Sequence, residues 1–239
     1  MNANPGELPP PRVFNAATRT IVSTIGVFLG LSSIDHGVLE MMQGNHPTSG
    51  NLIKAQGPGH HWTIWTQGSE PAFTLVHNFL FTGALATLAG LLLIFWSLCF
   101  IHRRHGATVF FLISIASFVV GGGMAQLLIF ILNWAVATRI RASLAAWHWL
   151  MPGPMCRVLG GLWRWPLVAG GLLFIAALEI ALLGYFPGLP RDREVVLRVL
   201  WQLAPGIIAA FLLAYLCGFA GDIEAQSRCS GCSASCESS

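Results

Sequence analysis

The chain has 239 residues, of which 54% are hydrophobic and 10% charged, and its formal net charge is +3. Soluble globular domains carry about 25% charged residues, so this composition excludes an ordinary soluble domain. It also excludes a chain that is disordered throughout, because disordered chains are poor in aromatic residues and this one has 15 Phe and 9 Trp. The composition indicates an integral membrane protein whose main partner is the lipid bilayer.

Five apolar runs are each long enough to cross the roughly 30 Å hydrocarbon core of a bilayer, which takes about 20 helical residues. They predict spanning helices near residues 21–43, 72–101, 108–137, 165–186 and 197–221. The third run contains Gly121, Gly122 and Gly123, a point at which a helix can break. We predict an all-α, polytopic integral membrane protein with about five transmembrane helices in one bundle.

The two flanks of the apolar region differ from it in composition. Residues 1–20 are rich in proline and polar residues, and residues 223–239 are rich in serine and cysteine. We predict a disordered N-terminal flank, a transmembrane domain over residues 21–222 and a flexible tail. The first apolar run continues into SSIDHG without a small-residue cleavage pattern, which favours a retained helix over a cleaved signal peptide.

The basic residues bear on the orientation in the membrane, because cytoplasmic loops carry an excess of Lys and Arg. Five crossings would divide the basic residues almost evenly between the two sides. The short basic loops HRRH at 102–105 and PRDRE at 190–194 favour a cytoplasmic N-terminus in a prokaryotic inner membrane. The connection over residues 138–164 mixes Arg and Trp, which is typical of a headgroup helix or of a loop with aromatic anchors.

Small residues at four-residue spacing predict packing faces, because membrane helices associate through close backbone approach. The first run has Gly26 and Gly30 four residues apart. The last run has four such residues in register: Gly206, Ala210, Ala214 and Gly218. We predict that this last stripe joins helices, within one chain, between copies or with a membrane partner.

Ionisable residues form a polar layer in the first two runs. Asp35, His36 and Glu40 lie in the C-terminal third of the first run, where such side chains are costly, and His36 and Glu40 lie on one helix face. A rise of 1.5 Å per residue puts His36 about 8 Å inside the membrane boundary and His77 of the second run at the same depth. We therefore expect the two imidazoles to share a layer.

The polar layer has three interpretations. Carboxylate and imidazole groups can pass protons, or can hold a divalent metal ion through His36, Glu40 and His77. Alternatively, the polar groups only fix helix register in a structural or accessory membrane subunit with no chemistry of its own. In a third interpretation, His36 and His77 are the axial ligands of a haem. We predict proton or divalent-metal handling.

Glu179, in the fourth run, is a further charge deep in the membrane. It is either a second station of an ion route or a hydrogen-bonded clasp between helices, with Gln126 and Gln202 as candidate partners. A clasp accounts for the residue without any ion chemistry.

The tail carries Cys229, Cys232 and Cys236. Their spacing resembles that of metal ligands, but structural zinc sites need four ligands. We interpret the tail as flexible with incidental thiols, and a metal-binding tail is the alternative.

The sequence carries no motif that assigns an activity. A Gly-rich phosphate loop, a GxSxG elbow and an HExxH helix are all missing, so no catalytic residue is predicted and an enzyme is disfavoured. The basic residues are scattered among apolar runs and form no face for nucleic acid.

Four segments carry a resemblance when taken in order: SSIDHGVLEMMQGN, EPAFTLVHNFLFTG, VVGGGMAQ and ALEIALLGYF. They resemble a family of small polytopic membrane proteins of bacteria and archaea that has no known activity. The resemblance covers most of residues 21–224. It implies a helical membrane fold and assigns no site residue, and the family has Pro where this chain has His77.

Overall fold

A computed structural model describes residues 14–55, 71–190 and 192–236, without the side chains of residues 145, 148, 150, 193 and 229–236. The described part folds into eight helices and one two-stranded sheet. The helices are α1 (Ala16–Met42), α2 (Phe79–Cys99), α3 (Gly106–Val119), α4 (Gln126–Ala137), α5 (Ala145–Leu150), α6 (Gly153–Leu162), α7 (Arg164–Leu183) and α8 (Arg193–Cys236). Strands β1 (Leu52–Lys54) and β2 (Pro71–Phe73) pair antiparallel between α1 and α2. The all-α prediction is confirmed.

Four described helices are long and apolar enough to cross a membrane: α1, α2, α7 and the part of α8 over Glu194–Arg228. The outer surface of these helices is apolar, as Leu85, Leu88 and Phe95 of α2 and Leu172 of α7 show by their exposure. Large exposed apolar surfaces are unusual for a protein in water and are the expected surface for a protein in lipid. The bundle is therefore that of a membrane-embedded protein.

The third apolar run forms two short helices, α3 and α4, which run antiparallel. Phe111 of α3 stacks on Trp134 of α4 with ring centroids 4.5 Å apart. The chain reverses between them at Gly121 and Gly123, which have positive φ angles of 101° and 90°, a conformation that glycine adopts without steric cost. The prediction of one spanning helix over residues 108–137 is therefore wrong.

The α3–α4 hairpin returns the chain to the side from which α3 started. As a result, the start of α1 and the C-terminal part of α8 lie at the same end of the bundle. The Asn15 side chain accepts a hydrogen bond from Gln226 Nε2 at 2.7 Å. The Asp222 carboxylate accepts hydrogen bonds from the backbone N–H groups of Ala17 and Thr18, at 2.9 and 2.8 Å, and from the Thr18 hydroxyl at 2.6 Å. Asp222 of α8 thus caps the first turn of α1.

Helices α1 and α2 pack through glycines. A Cβ atom at Gly37 would stand 2.5 Å from the carbonyl oxygen of Gly83, and one at Gly90 would stand 2.6 Å from that of Gly30. Neither position has room for a side chain. In lipid the hydrophobic effect does little to hold helices together, so close backbone contact of this kind stabilises the α1–α2 pair instead.

The small-residue stripe of α8 packs inside the chain. Gly218 lies against Ile21 of α1, Ala214 is fully buried, and the Cβ atom of Ala210 lies 3.2 Å from the place where a Cβ on Gly170 of α7 would stand. The stripe over Gly206, Ala210, Ala214 and Gly218 is thus a packing face between helices of one chain. It does not support an oligomer or partner interface at these residues.

Candidate functional site

The polar face of α1 is buried in the bundle. Ser32, His36 and Glu40 follow one another at four-residue spacing, which places them along one side of a helix. Their exposed fractions are 8%, 6% and 0%. Asp35 is half-buried beside them. The prediction that the polar groups of α1 share one face is confirmed for these residues.

Glu40 is the most enclosed acid of this face. A Cβ atom on Gly121 would stand 2.6 Å from each of its carboxylate oxygens, so only glycine leaves room for the acid at that position. Among the described residues, neither carboxylate oxygen of Glu40 has a hydrogen-bond partner. A charge buried without a partner is costly, so this position disfavours the charged form of the acid.

The α3–α4 turn is held over Glu40 by hydrogen bonds to β2, to the segment after it and to α2. The backbone N–H of Gly121 donates to the Phe73 carbonyl at 3.0 Å, and that of Leu75 donates to the Val119 carbonyl at 2.9 Å. The Thr82 hydroxyl of α2 donates to the Val120 carbonyl at 2.7 Å. These bonds fix the backbone of the turn that covers the acid.

A neutral polar network lies about two turns before Glu40. Gln126 Nε2 donates to the Ser32 hydroxyl and to the Gly122 carbonyl, both at 2.7 Å. The Ser117 hydroxyl donates to the Ser33 hydroxyl at 2.9 Å. Each of these buried groups has a partner, in contrast to the Glu40 carboxylate.

Asp35 and His36 face a cavity of about 390 Å³. The polar part of its wall comes from Ser32, Asp35, His36 and Gln126. The remaining wall is almost entirely apolar and comes mainly from α4, α7 and α8. The polar layer of α1 therefore has an open space on one side and the covered Glu40 on the other.

His77 does not lie in the second spanning helix. Helix α2 begins at Phe79, and the Asn78 side chain caps it by accepting from the N–H groups of Leu80 and Phe81 at 3.1 and 3.3 Å. His77 precedes the cap and is exposed, with its Nε2 atom 3.3 Å from the Asn51 side-chain oxygen. The prediction that His77 shares the layer of His36 inside the bundle is wrong. An asparagine before an apolar run is a helix-start signal that could have shown this.

The predicted metal ligands are therefore only partly brought together. His36 and Glu40 share a face, whereas His77 is turned toward Asn51. No group of three or more His, Cys, Asp or Glu residues that could hold a metal ion occurs in the described part of the chain. A haem between His36 and His77 has no support from this placement. The side chains of the tail thiols Cys229, Cys232 and Cys236 lie outside the described residues.

Glu179 is half-buried on α7 and does not line the cavity, although Leu178 and Ala181 do. Its two predicted partners lie elsewhere. Gln126 bonds to Ser32 and Gly122, and Gln202 is exposed on α8. The proposed clasp with these two residues is not formed.

Comparison with protein-family models, curated proteins and solved structures finds no match for this chain. The resemblance to a family of small polytopic membrane proteins stays a prediction.

Proposed function

We propose that this membrane protein binds and releases protons at the polar face of α1, with Glu40 as the buried acceptor and His36 as the relay. The observation that carries the proposal is the complete burial of Glu40 without a hydrogen-bond partner among the described residues. Uptake of a proton removes the charge, and with it the cost of burial. Ionisable residues inside membrane-spanning bundles commonly mark ion paths or proton relays.

The geometry favours a proton over a metal ion. Metal sites take three or four protein ligands, and α1 supplies His36 and Glu40 on its buried face. A proton needs a single acceptor. Imidazole accepts and donates protons near neutral pH, and residues four apart on a helix have Cβ atoms about 5–6 Å apart. One rotamer change or one water would join His36 to Glu40.

His36 connects the acid to the open space. It lines the cavity, and Glu40 lies one helical turn further along, under the α3–α4 turn at Gly121. Protons would reach Glu40 from the cavity through His36. Gly121 closes the acid from the other side.

The positions of the arginines support an orientation. Eight described arginines lie at the end of the bundle where α1 starts and α8 finishes: Arg19, Arg103, Arg104, Arg139, Arg141, Arg157, Arg164 and Arg228. At the opposite end the described basic side chains are Lys54 and Arg198. The even division expected from five crossings disappears because the α3–α4 hairpin brings the arginines after α4 to the N-terminal end. By the positive-inside rule this end is cytoplasmic, and the polar layer lies toward the outer face.

Infrared difference spectroscopy of the protein in lipid vesicles tests the proton site. A pH step should change a protonated-carboxyl band, and Glu40→Gln should remove that band. Glu224→Gln is the matched control, because Glu224 lies outside this layer and pairs with the exposed Arg228 at 2.6 Å. An unchanged band in Glu40→Gln would refute the proposal. Loss of folding in that variant with no band in the native protein would instead support a structural subunit.

The orientation has its own test. A reporter active only in the cytoplasm, fused after Ser239, should be active, and one inserted at residues 48–50 should be inactive. The reverse result would place the arginine-rich end outside.

A further inference from the structure

The cavity beside α1 has the size and position of a ligand site. Its volume of about 390 Å³ falls within the 300–1,000 Å³ that small-molecule sites commonly have. Residues of α1, α4, α7 and α8 line it, so it lies between four helices of the bundle.

Small side chains border the cavity at several points of its wall. Ala177 and Ala181 stand one turn apart on α7, Ala204 faces them from α8, and Ala125 precedes α4. Substitution of any of these alanines by a large residue would fill the space.

The wall of the cavity is polar on one side only. Ser32, Asp35 and His36 of α1 and Gln126 of α4 form the polar side, and no Lys or Arg is present among its described lining residues. Gln126 is fixed by its bonds to Ser32 and Gly122. A ligand would therefore set a hydrogen-bonding head against α1 and an apolar body against α7 and α8.

The cavity reaches the lipid-facing surface of the molecule. Trp201 of α8 lines it and is 76% exposed, and it carries a large aromatic surface at the opening. A molecule that enters here comes from the membrane, where a charged head is costly. The described lining also offers no permanently charged cationic group to bind an acid.

We propose that this cavity binds an uncharged, membrane-soluble amphiphile with a carbonyl or hydroxyl head. The head exchanges hydrogen bonds with Ser32 and His36, and the body packs on Phe174, Trp201 and the alanines. Both a quinone-type ring head and a long-chain alcohol carry this chemistry. The inference goes beyond proton binding at Glu40 and does not require it.

Equilibrium binding to the full-length protein in nanodiscs, with empty nanodiscs as reference, tests the site. The probes are a benzoquinone with a ten-carbon tail, decanol and decanoic acid. Saturable binding of the quinone alone, of decanol alone or of both supports the neutral-head site and identifies which source fills it. If neither neutral probe binds saturably, or if decanoic acid binds as tightly as the neutral probes, the proposal is overturned.

Variants localise the binding. Ala177→Phe should weaken it by about tenfold or more, because the phenyl ring would occupy the space that the body of the ligand needs. Ala169→Phe, on the exposed face of the same helix, should leave binding unchanged. If Ala177→Phe does not fold, Ala204→Phe and Ser32→Ala probe the opposite wall and the polar side. Unchanged binding in every folded cavity variant would overturn the proposal.

Glu40→Gln separates this inference from the proton site. It should retain ligand binding while it loses the infrared band. If the native protein binds the ligand but shows no infrared band, the cavity site stands and the proposed proton function is refuted. If it shows the band but does not bind the ligand, the proton function stands and the cavity site is refuted.

Discussion

The two ends of α1 use acidic residues in opposite ways. At its start, the Asp222 carboxylate from α8 accepts three hydrogen bonds from Ala17 and Thr18. Near its other end, the Glu40 carboxylate is fully buried without a hydrogen-bond partner among the described residues. Both acids are inaccessible to solvent, yet only the first is compensated by donors. The acid at the first end therefore stabilises the start of the helix, whereas the acid at the second end is the one to which we assign the proposed proton site.

The surroundings of the two ends of α1 also differ in how fully their polar groups are hydrogen-bonded. Near the start of α1, the Asn133 amide of α4 donates to the Val22 carbonyl at 3.2 Å and accepts from the Tyr215 hydroxyl at 2.8 Å. Near the other end, His36 and Asp35 face a cavity. The hydrogen-bonded start of α1 and the cavity-facing residues are thus separated along one helix by about four turns.

Substitution of Asp222 should produce the largest effect. Asp222→Asn replaces a charged acceptor of three hydrogen bonds, each worth about 1.5–3 kcal/mol when charge-assisted, and removes a favourable charge at a helix start. We expect a loss of about 3 kcal/mol in the free energy of unfolding, measured by reversible denaturation in detergent. Glu224→Gln, which breaks an ion pair with an exposed arginine, should change it by less than about 1 kcal/mol.

Tyr215→Phe should have the next largest effect. It removes the donor to Asn133 and leaves a buried amide oxygen with one partner fewer, which in membrane proteins costs about 1 kcal/mol. Thr20→Ala is a suitable control, because the Thr20 hydroxyl is exposed and bonds only to its own helix. Equal effects of the two substitutions would show that the Asn133 network adds nothing to stability.

Glu40→Gln sharpens the comparison, because it makes the same chemical change as Asp222→Asn. The Glu40 oxygens accept no hydrogen bond within the described chain, so the amide loses no interaction. We expect the free energy of unfolding to change by less than about 1 kcal/mol, or to rise, because a buried charge is removed. A loss as large as that of Asp222→Asn would show that Glu40 has a structural partner.

The smallest effect should be a pH dependence at the arginine-rich end. Burial, together with Arg19, Arg103 and Arg141, lowers the pKa of His102 from its ordinary value of 6.5. The unfolded chain then binds the proton more readily than the folded one, so stability should fall as pH drops below 6.5. His102→Gln should flatten this decline in thermal unfolding between pH 7.5 and pH 5. A curve that keeps its slope would exclude His102 as the cause.

The sequence predicts those features that depend on local pattern. Hydropathy locates α1, α2, α7 and α8, and the spacing of Ser32, His36 and Glu40 predicts their common face. The predicted flanks are partly wrong, because α1 begins at Ala16 and α8 continues to Cys236. Both patterns are read from neighbouring residues in one helix. They hold here because apolar length and helical period are local properties.

Other features depend on the direction of the chain or on distant contacts, and these were missed. Hydropathy does not distinguish one long helix from the α3–α4 hairpin, because both are equally apolar. It also merged β2, His77 and the Asn78 cap into the second helix. The contact of Gly121 with Glu40 and the bonds of Asp222 to Thr18 join residues far apart in sequence. Local sequence patterns do not predict such contacts.

The cap supplied by Asp222 has a consequence for how the chain assembles. The N–H groups at the start of α1 obtain their acceptor from a residue close to the end of the sequence. During synthesis the opening turn of α1 therefore lacks this acceptor until α8 has been made, more than 200 residues later. A chain without α8 would leave these N–H groups without the Asp222 carboxylate.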